Sequence, residues 1–593
     1  MVPTQTPNDS YSTAVAALYS GLHQAKTPEA IREAAKRRKT TVEDMREYMT
    51  RASISFDGQG PSLGKTSGGP AIVHITGTKG KGSTGAMCEA ILRSRYRKVT
   101  GLFTSPHLVD IRERIRINGK PVPKDVFGQA YWTIRRSLEE AAKRTNPDTN
   151  TENNDTGDTA VDPSLPILPG YFRMLTLMAL FIFSRFTPEI DVVILEVGMG
   201  GRYDATNVFD LDKHNIVCGV TLLDLDHTRV LGETLEEIAW EKGGIFQTKK
   251  VGGARTAERP TGSSLETDQT EDSMTTTPVA NKHHDTIIQD PLSTNVATLV
   301  PQSTPAARLF AIESNTDSVL NVLRQCAAVE AGERLEVVST TIRPGFRLGL
   351  QGDHQRLNAE LAIRLCEAVM VDSPTNDGVT AMMDGLGSAV WPGRCQTVPY
   401  SDKVTLCLDG AHTPKSVEAC LKWFVQSTSS NTKEKRVLLF NCSKERDPVC
   451  LLQILKAGNF DKVYFSPADF ERPSAVQKSS AAVLLAKAGV IPSTTASTQG
   501  DETPGPIVES TWQDTLAKIW EGIDGETQSG ATAKANIKVR DVLDTIRKET
   551  QQMDGTESGC RVLVVGSLYL VGSVLSAIGW TEDDSGGRLV MDD

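Results

Sequence analysis

Gly77-Thr78-Lys79-Gly80-Lys81-Gly82-Ser83 is the segment best equipped for chemistry. Its glycines let backbone N–H groups curl around a phosphate, and a helix starting at the end of the loop adds a favourable dipole. Lys81 supplies a positive charge for the outer phosphates of a nucleotide, and Ser83 a hydroxyl for Mg²⁺. The string departs from the usual P-loop because Gly82 separates Lys81 from Ser83. Glu196 closes a buried apolar run, where open α/β sheets place ligands, and a carboxylate there suits Mg²⁺. His227, in Leu223-Asp224-Leu225-Asp226-His227-Thr228, lies at a similar strand end. Taken alone it reads as a capping or core histidine; beside a phosphate loop and Glu196 it becomes a candidate second-metal ligand. Lys242, in Trp240-Glu241-Lys242-Gly243-Gly244-Ile245-Phe246, ends a helical stretch, where a lysine commonly just complements the dipole. Asp409 and His412, in Leu408-Asp409-Gly410-Ala411-His412-Thr413-Pro414, suit a ribose hydroxyl and a substrate carboxylate.

The elements that must position these groups alternate strand and helix. Ala71 to Ile75 reads as a strand running into the glycine loop, and Ser83 to about Ser94 as a helix with Met87, Ala90 and Ile91 on one face. Asp191 to Leu195 and Ile216 to Leu223 are near-continuous apolar runs, as expected of parallel strands covered on both faces. Val404–Leu408, Arg436–Phe440, Lys462–Phe465 and Arg561–Val565 repeat the pattern later in the chain. The class is α/β, in two blocks that meet at the Trp391-Pro392-Gly393-Arg394 turn. We therefore expect an N-terminal domain over residues 1–392 and a C-terminal one over 393–593. Three polar stretches interrupt them, about 144–162, 252–304 and 494–533, and read as surface insertions.

Composition removes several function classes. The 593 residues are 39% hydrophobic and 23% charged, as in an ordinary globular protein. With 64 Lys plus Arg against 74 Asp plus Glu the net charge is −10, which argues against a general nucleic-acid binder. The longest apolar stretch, Met174 to Phe183, is about half the ~20 residues that cross a bilayer, so no integral membrane contact is expected. Ten cysteines occur singly with no CxxC pair, which suits a reducing compartment. The polar start, Met1 to Ser10, has no apolar signal region; the cytoplasm is expected, with a mitochondrial form left open.

In order and wording, GTKGKGS, TSPHL (Thr104 to Leu108), EVGMGGRYDATN, LDLDHT, WEKGGIF, LQGDHQRLNA (Leu350 to Ala359), WPGR and DGAHT resemble the folylpolyglutamate synthase family of the Mur-ligase superfamily. The element from Tyr171 to Thr176, with RERIRINGKP and LFNCSKERDP, resembles its eukaryotic members. The resemblance spans roughly residues 11 to 580 outside the insertions, too many ordered motifs for chance. It implies a P-loop ATPase domain, a smaller Rossmann-like C-terminal domain and an active site between them. It implies an ATP-dependent ligase that joins L-glutamate to tetrahydrofolate and its polyglutamates by γ-linked amide bonds, acting as a monomer.

The same resemblance carries residue roles. Gly77, Thr78, Lys79, Gly80, Lys81, Gly82 and Ser83, with Gln355, Asn358, Arg394 and Asp409, match ATP contacts. Ser83 or Ser105, Glu196 and His227 match ligands of two Mg²⁺ ions, and a monovalent cation such as K⁺ is a further expectation. Lys81, Lys242 and His412 match catalytic positions, Lys242 in a family position often carbamylated. Thr104, Ser105, Pro106 and His107 match the loop lining the pterin site; Arg202 is expected at the substrate, and His412 at the incoming glutamate. Tyr569 stands where many members have His, and Ser443-Lys444 where a Thr-Gly pair is common. Dihydrofolate synthase is the nearest alternative activity, disfavoured by the Tyr171–Thr176 element. A non-catalytic nucleotide-binding homologue is disfavoured by intact Lys81, Glu196, His227, Asp409 and His412.

Overall fold

A computed structural model describes residues 7–24, 38–56, 69–144, 165–246, 256–260, 308–339, 347–370, 376–427, 434–469, 478–489, 511–523, 532–552, 559–583 and 588–589. Among the described residues sixteen strands, β1 to β16 in chain order, are Ala71–Thr76, Thr100–Phe103, Ile115–Ile117, Lys120–Pro121, Phe186–Thr187, Val192–Glu196, Ile216–Val220, Leu309–Ile312, Leu335–Val338, Gln396–Ser401, Val404–Leu408, Lys435–Phe440, Lys462–Phe465, Thr532–Ala535, Cys560–Val565 and Arg588–Leu589. They build an eight-stranded sheet in the order β4-β3-β2-β6-β1-β7-β8-β9 and a six-stranded sheet in the order β10-β11-β15-β12-β13-β14, with β16 paired to β5. All pairings among β2, β6, β1, β7, β8 and β9 are parallel, and only the β2–β3 and β3–β4 pairings are antiparallel. In the second sheet β10 alone is antiparallel.

Parallel strands need helical crossovers, and the helices cover both faces. Along β1, Ile72 faces one core with Phe103 and Leu195, while Val73 and Ile75 face the other with Met87, Ile91 and Leu365. The second face takes the helices Lys81–Arg95 and His354–Val369. The first takes Tyr171–Arg185, whose Met174 to Phe183 stretch is buried throughout. That apolar stretch is thus a core helix, as its length suggested. Among the described residues no helix is long and apolar enough to cross a membrane. In the second sheet, Cys407, Leu438 and Val463 pack with Phe424 and Trp520, and Leu406, Val437 and Val562 pack with Leu543 and Val574 on the other face.

The strands expected from apolar runs form, and β2, β3, β4, β5, β8, β9, β10, β14 and β16 are additions that those runs did not predict. Most are four residues or fewer, too short to carry a periodic signal. One expectation needs correction. Within the polar stretch 494–533, Trp512–Ile523 is a helix with Leu516, Ile519 and Trp520 buried, followed by β14. Its apolar face sits inside a segment whose average composition is polar. Residues 145–162, 261–304, 494–505 and 525–531 lie outside the described residues. In the second insertion, Ala257 is buried and its carbonyl accepts the Trp240 indole N–H at 2.6 Å. All ten cysteines are free, and all but Cys450 are buried.

Candidate active site

The loop after β1 bends because two of its glycines hold positive φ, 149° at Gly77 and 90° at Gly80. A Cβ at Gly77 would collide with Thr221 Oγ1, and one at Gly80 with Asn358 Oδ1, so the loop is pressed between β7 and the helix His354–Val369. The amides of Thr78 and Lys79 donate to Leu222 O at 3.0 and 3.1 Å, anchoring the loop to the end of β7. The helix starting at Lys81 then presents its N-terminus to a cavity of about 310 Å³. This cavity is lined by Thr78 to Ser83, Ser105, Pro106, Glu196, Asp226, His227, Gln355 and Asn358 from the first sheet's side, and by Arg394, Asp409 and His412 from the second.

Glu196 sits opposite Ile75 in the β1–β6 register, so strand pairing alone carries its carboxylate to the loop. The side chain is buried, accepts from Thr104 Oγ1 and from Ser105 N at 3.2 Å, and lies 3.9 Å from Lys81 Nζ. A Cβ at Gly82 would stand 3.3 Å from Glu196 Oε2, so glycine lets the backbone approach that carboxylate. His227 caps a short helix at φ 52°, with its amide on Asp226 Oδ1 at 3.0 Å. Burial, opposed by Asp226, holds its imidazole below the usual range. Among the described residues no group of three His, Cys, Asp or Glu side chains is arranged to hold a metal on its own. A divalent ion here would need oxygens from its nucleotide and from water, the habit of Mg²⁺.

Lys79 Nζ is buried without a hydrogen-bond partner. Desolvation brings it down to about 8 although Asp226 and Asp224 pull it upward, and an unpaired ammonium so placed calls for an anion. Asp409 has both oxygens on backbone amides, Oδ2 on Cys395 N at 2.7 Å and Oδ1 on Ala411 N at 2.8 Å. Asn358 Nδ2 donates to Gln355 Oε1 at 2.9 Å.

The imidazole of His412 donates from Nδ1 to Gly410 O at 2.7 Å, because a carbonyl can only accept. Burial, with Lys79 nearby, brings it down to about 4. A neutral ring with Nδ1 so engaged has an acceptor at Nε2. That atom fits an amine N–H better than the substrate carboxylate expected from sequence.

Five expected site residues, Gly77, Thr104, His107, Arg202 and Lys242, lie outside this cavity's lining. Lys242 is buried beneath the loop, where Nζ donates to Gly77 O at 2.9 Å; desolvation and Lys81 bring it down to about 7. Arg202, expected at the substrate, is 2% exposed. It is paired bidentately with Glu330 at 3.0 and 2.7 Å and stacked 3.9 Å from the Trp240 ring centroid, so its guanidinium is committed to the core. His107 accepts from Arg114 Nε at Nδ1, 2.9 Å, and its Nε2–H faces Tyr19 Oη at 3.3 Å. Thr104 reaches a second, narrower cavity with Ser105, Pro106, Glu196, Trp391 and Arg394.

The residue types and spacing missed His354, whose buried Nδ1 has no partner and which lies electrostatically between Asp409 and Arg394. They also missed Arg446, which crosses from the second sheet's side to Asp226 at 3.0 Å. His354 stands next to Gln355 in the chain and was within reach of the same motif; Arg446 lies in the LFNCSKERDP string, but nothing in that string points to Asp226, 220 residues away.

No protein-family model matches the chain. A curated relative, "Folylpolyglutamate synthase, mitochondrial" of Bos taurus, is 32% identical over 490 residues, covering 78% of this chain and 69% of its own. Among solved structures, a Mycobacterium tuberculosis folylpolyglutamate synthase complexed with ADP and AMPPCP aligns at TM-score 0.58 and 20% identity, covering 92% of this chain and 96% of that one. A Yersinia pestis bifunctional folylpolyglutamate synthase/dihydrofolate synthase complexed with AMPPNP and Mn aligns at TM-score 0.53 and 22% identity, over 91% and 93%. The two sheets therefore form the two-domain Mur-ligase fold of those enzymes, and the chain belongs to the folylpolyglutamate synthase family.

Proposed function

We propose that this chain is an ATP-dependent ligase that attaches L-glutamate through its amine to the γ-carboxylate of tetrahydrofolate and of its polyglutamates. The single observation that carries the reading is the cavity itself: an anion cradle from one sheet and the Asp409–His412 loop from the other face the same space. A site completed by two lobes of one chain suits a monomer, and ten free thiols suit a reducing compartment.

The loop 77–83 and the helix dipole behind it hold the ATP phosphates, with Lys81 and Lys79 as the cations. Ser83, Ser105, Glu196 and His227 are the residues that would hold Mg²⁺, which neutralises charge between the outer phosphates when bound. Gln355, Asn358, Arg394 and Asp409 line the same cavity and supply the remaining contacts to the nucleotide.

The γ-carboxylate of the acceptor attacks the γ-phosphorus of ATP; the bond to ADP breaks and an acyl phosphate forms. Lys81 spreads the charge that develops on the transferring group. The amine of the incoming glutamate, oriented by His412 Nε2, attacks the acyl carbon, phosphate leaves, and a γ-linked amide remains. Contacts across the lobes, Arg446 with Asp226 and Trp423 with Gln351, keep water from the acyl phosphate. Lys242 braces the loop from beneath through Gly77 O. With its amine near 7, part of it is neutral and open to the carbamylation implied by the resemblance.

The test is ADP release with ATP, Mg²⁺ and L-glutamate, comparing tetrahydrofolate with dihydropteroate. Turnover with tetrahydrofolate and a product heavier by one glutamyl unit supports the reading. Turnover with dihydropteroate alone reassigns the acceptor, and silence with both overturns the ligase.

A further inference from the structure

The helix Leu568–Ala577 of the second lobe lies close on the first, since a Cβ at Gly572 would stand 2.2 Å from Leu108 O. Beyond the helix the chain turns back at Gly579, φ 70°, where Gly579 N donates to Ser576 O and Trp580 N to Leu575 O, each at 3.0 Å. That turn carries Glu582 across to the first lobe. Its two carboxylate oxygens take Nη1 and Nη2 of Arg116, on β3, at 3.0 and 2.7 Å. The Arg116 side chain is 4% exposed, and its other donations go to Glu113 O and Gly119 O, each at 3.0 Å. The carboxylate of Glu113, which also bears electrostatically on Arg116, is committed to the amides of Leu108, Val109 and Asp110. Farther on, β16 pairs with β5, so the segment after the helix is fastened to the first lobe at two places. Arg116 in turn lies 5.0 Å from the ring centroid of Trp391, in the turn between the lobes. The indole presses on the phosphate loop: a Cβ at Gly82 would stand 2.9 Å from Trp391 Nε1.

We propose that Glu582 is a positioning residue: it latches the second lobe to Arg116 and so seats the Trp391 indole against Gly82, holding the phosphate loop in its nucleotide-binding form. A buried guanidinium deprived of its bidentate carboxylate is costly, so the place of Arg116 depends on Glu582. A guanidinium over an indole face is itself an attractive contact, which passes that dependence to Trp391. Gly82 lies between Lys81 and Ser83, so a displaced indole loosens the loop where its cation and its hydroxyl leave the backbone. Because Glu582 and Arg116 belong to different lobes, the loop is braced when the lobes are together. This inference rests on the nucleotide site of the ligase reading above.

The experiment measures AMPPNP binding with Mg²⁺ by calorimetry, and the KM for ATP by ADP release, in the unmodified chain, Glu582→Ala, Glu582→Gln and Asp583→Asn. Glu582→Ala weakens AMPPNP roughly five- to ten-fold and raises the ATP KM alike, with kcat changed less, and Glu582→Gln falls between. Asp583→Asn leaves both at the unmodified values, since that side chain is 90% exposed and only 3.6 Å from Lys120 Nζ. In a Trp391→Leu background, removing Glu582 weakens AMPPNP no further, because the relay is already cut. Unchanged AMPPNP affinity in Glu582→Ala, even with a lower melting temperature, overturns the latch, and so does a full further loss in the Trp391→Leu background. An unmodified chain that binds AMPPNP but turns over neither acceptor sinks the ligase reading and leaves the latch to be decided by the binding series. An unmodified chain that binds no AMPPNP overturns both.

Discussion

The loops after β1 and after β11 occupy the same place in their sheets, each leaving a parallel strand and running into a helix, yet they are built for opposite tasks. The first has glycines at Gly77 and Gly80 and amines at Lys79 and Lys81, so its backbone and side chains present positive charge to the cavity. The second spends its charged side chain on backbone: the two oxygens of Asp409 accept the amides of Ala411 within the loop and of Cys395 before β10, and His412 is turned by Gly410 O until its acceptor atom is the free one. One loop is an anion cradle, the other a rigid holder of hydrogen-bond acceptors. The same strand-to-helix geometry yields either, depending on whether the loop's polar groups are met by protein backbone or left for a ligand.

Lys81→Ala tests the cradle most severely. Turnover in the ADP-release assay should fall roughly 10³-fold or more, with circular dichroism unchanged, because the cation that spreads transition-state charge is gone. A variant retaining near-normal turnover would remove Lys81 from the site. Next, Glu196→Ala should reduce turnover on the order of 10²–10³-fold and raise the Mg²⁺ needed for half-maximal rate. Equal Mg²⁺ dependence in variant and parent would show that the carboxylate is not a metal ligand.

On the other side of the comparison, Asp409→Ala frees two buried amides and should cost about 1–3 kcal/mol in urea unfolding, with a KM for ATP raised around ten-fold. A stability effect without any change in that KM would restrict Asp409 to bracing its loop. Arg202→Met should leave the KM values for all substrates unchanged, since the guanidinium lies in the core, while Glu330, buried and deprived of its cation, lowers stability. A selective rise in the KM of one substrate would return Arg202 to the site.

Acid should weaken the fold gradually. His74, His107 and His412 are all held neutral by burial, each brought down to about 4 from an ordinary 6.5. Below 6.5 the unfolded chain takes up protons that the folded chain refuses, so stability present near neutrality is lost as the pH falls from about 6.5 towards 4. Urea midpoints measured between pH 7 and 5 should fall accordingly, and a flat profile would contradict the assignment of neutral rings.

Legibility followed range along the chain. The glycine loop was readable because the strand before it, the turn and the helix after it are contiguous, and each has a local signature from Ala71 to Ser94. Glu196 and Asp409 were readable as the ends of apolar runs. The helix Trp512–Ile523 was not, since a short amphipathic stretch between polar flanks is lost when composition is averaged over the whole segment. Arg202 misled because it sits within the EVGMGGRYDATN motif, and motif membership does not say whether a side chain turns to the cavity or to Glu330.

By itself the sequence determined the two α/β blocks, the phosphate-type loop and the family, because these depend on hydrophobic period and on short strings whose geometry is local. Only the tertiary structure decided that Lys242 lies beneath the loop, that Arg446 meets Asp226 across 220 residues, and that His412 offers an acceptor at Nε2. The reason is physical: the direction, charge state and partner of a polar side chain are set by burial and by hydrogen bonds from distant elements, and neither is encoded in its neighbours along the chain.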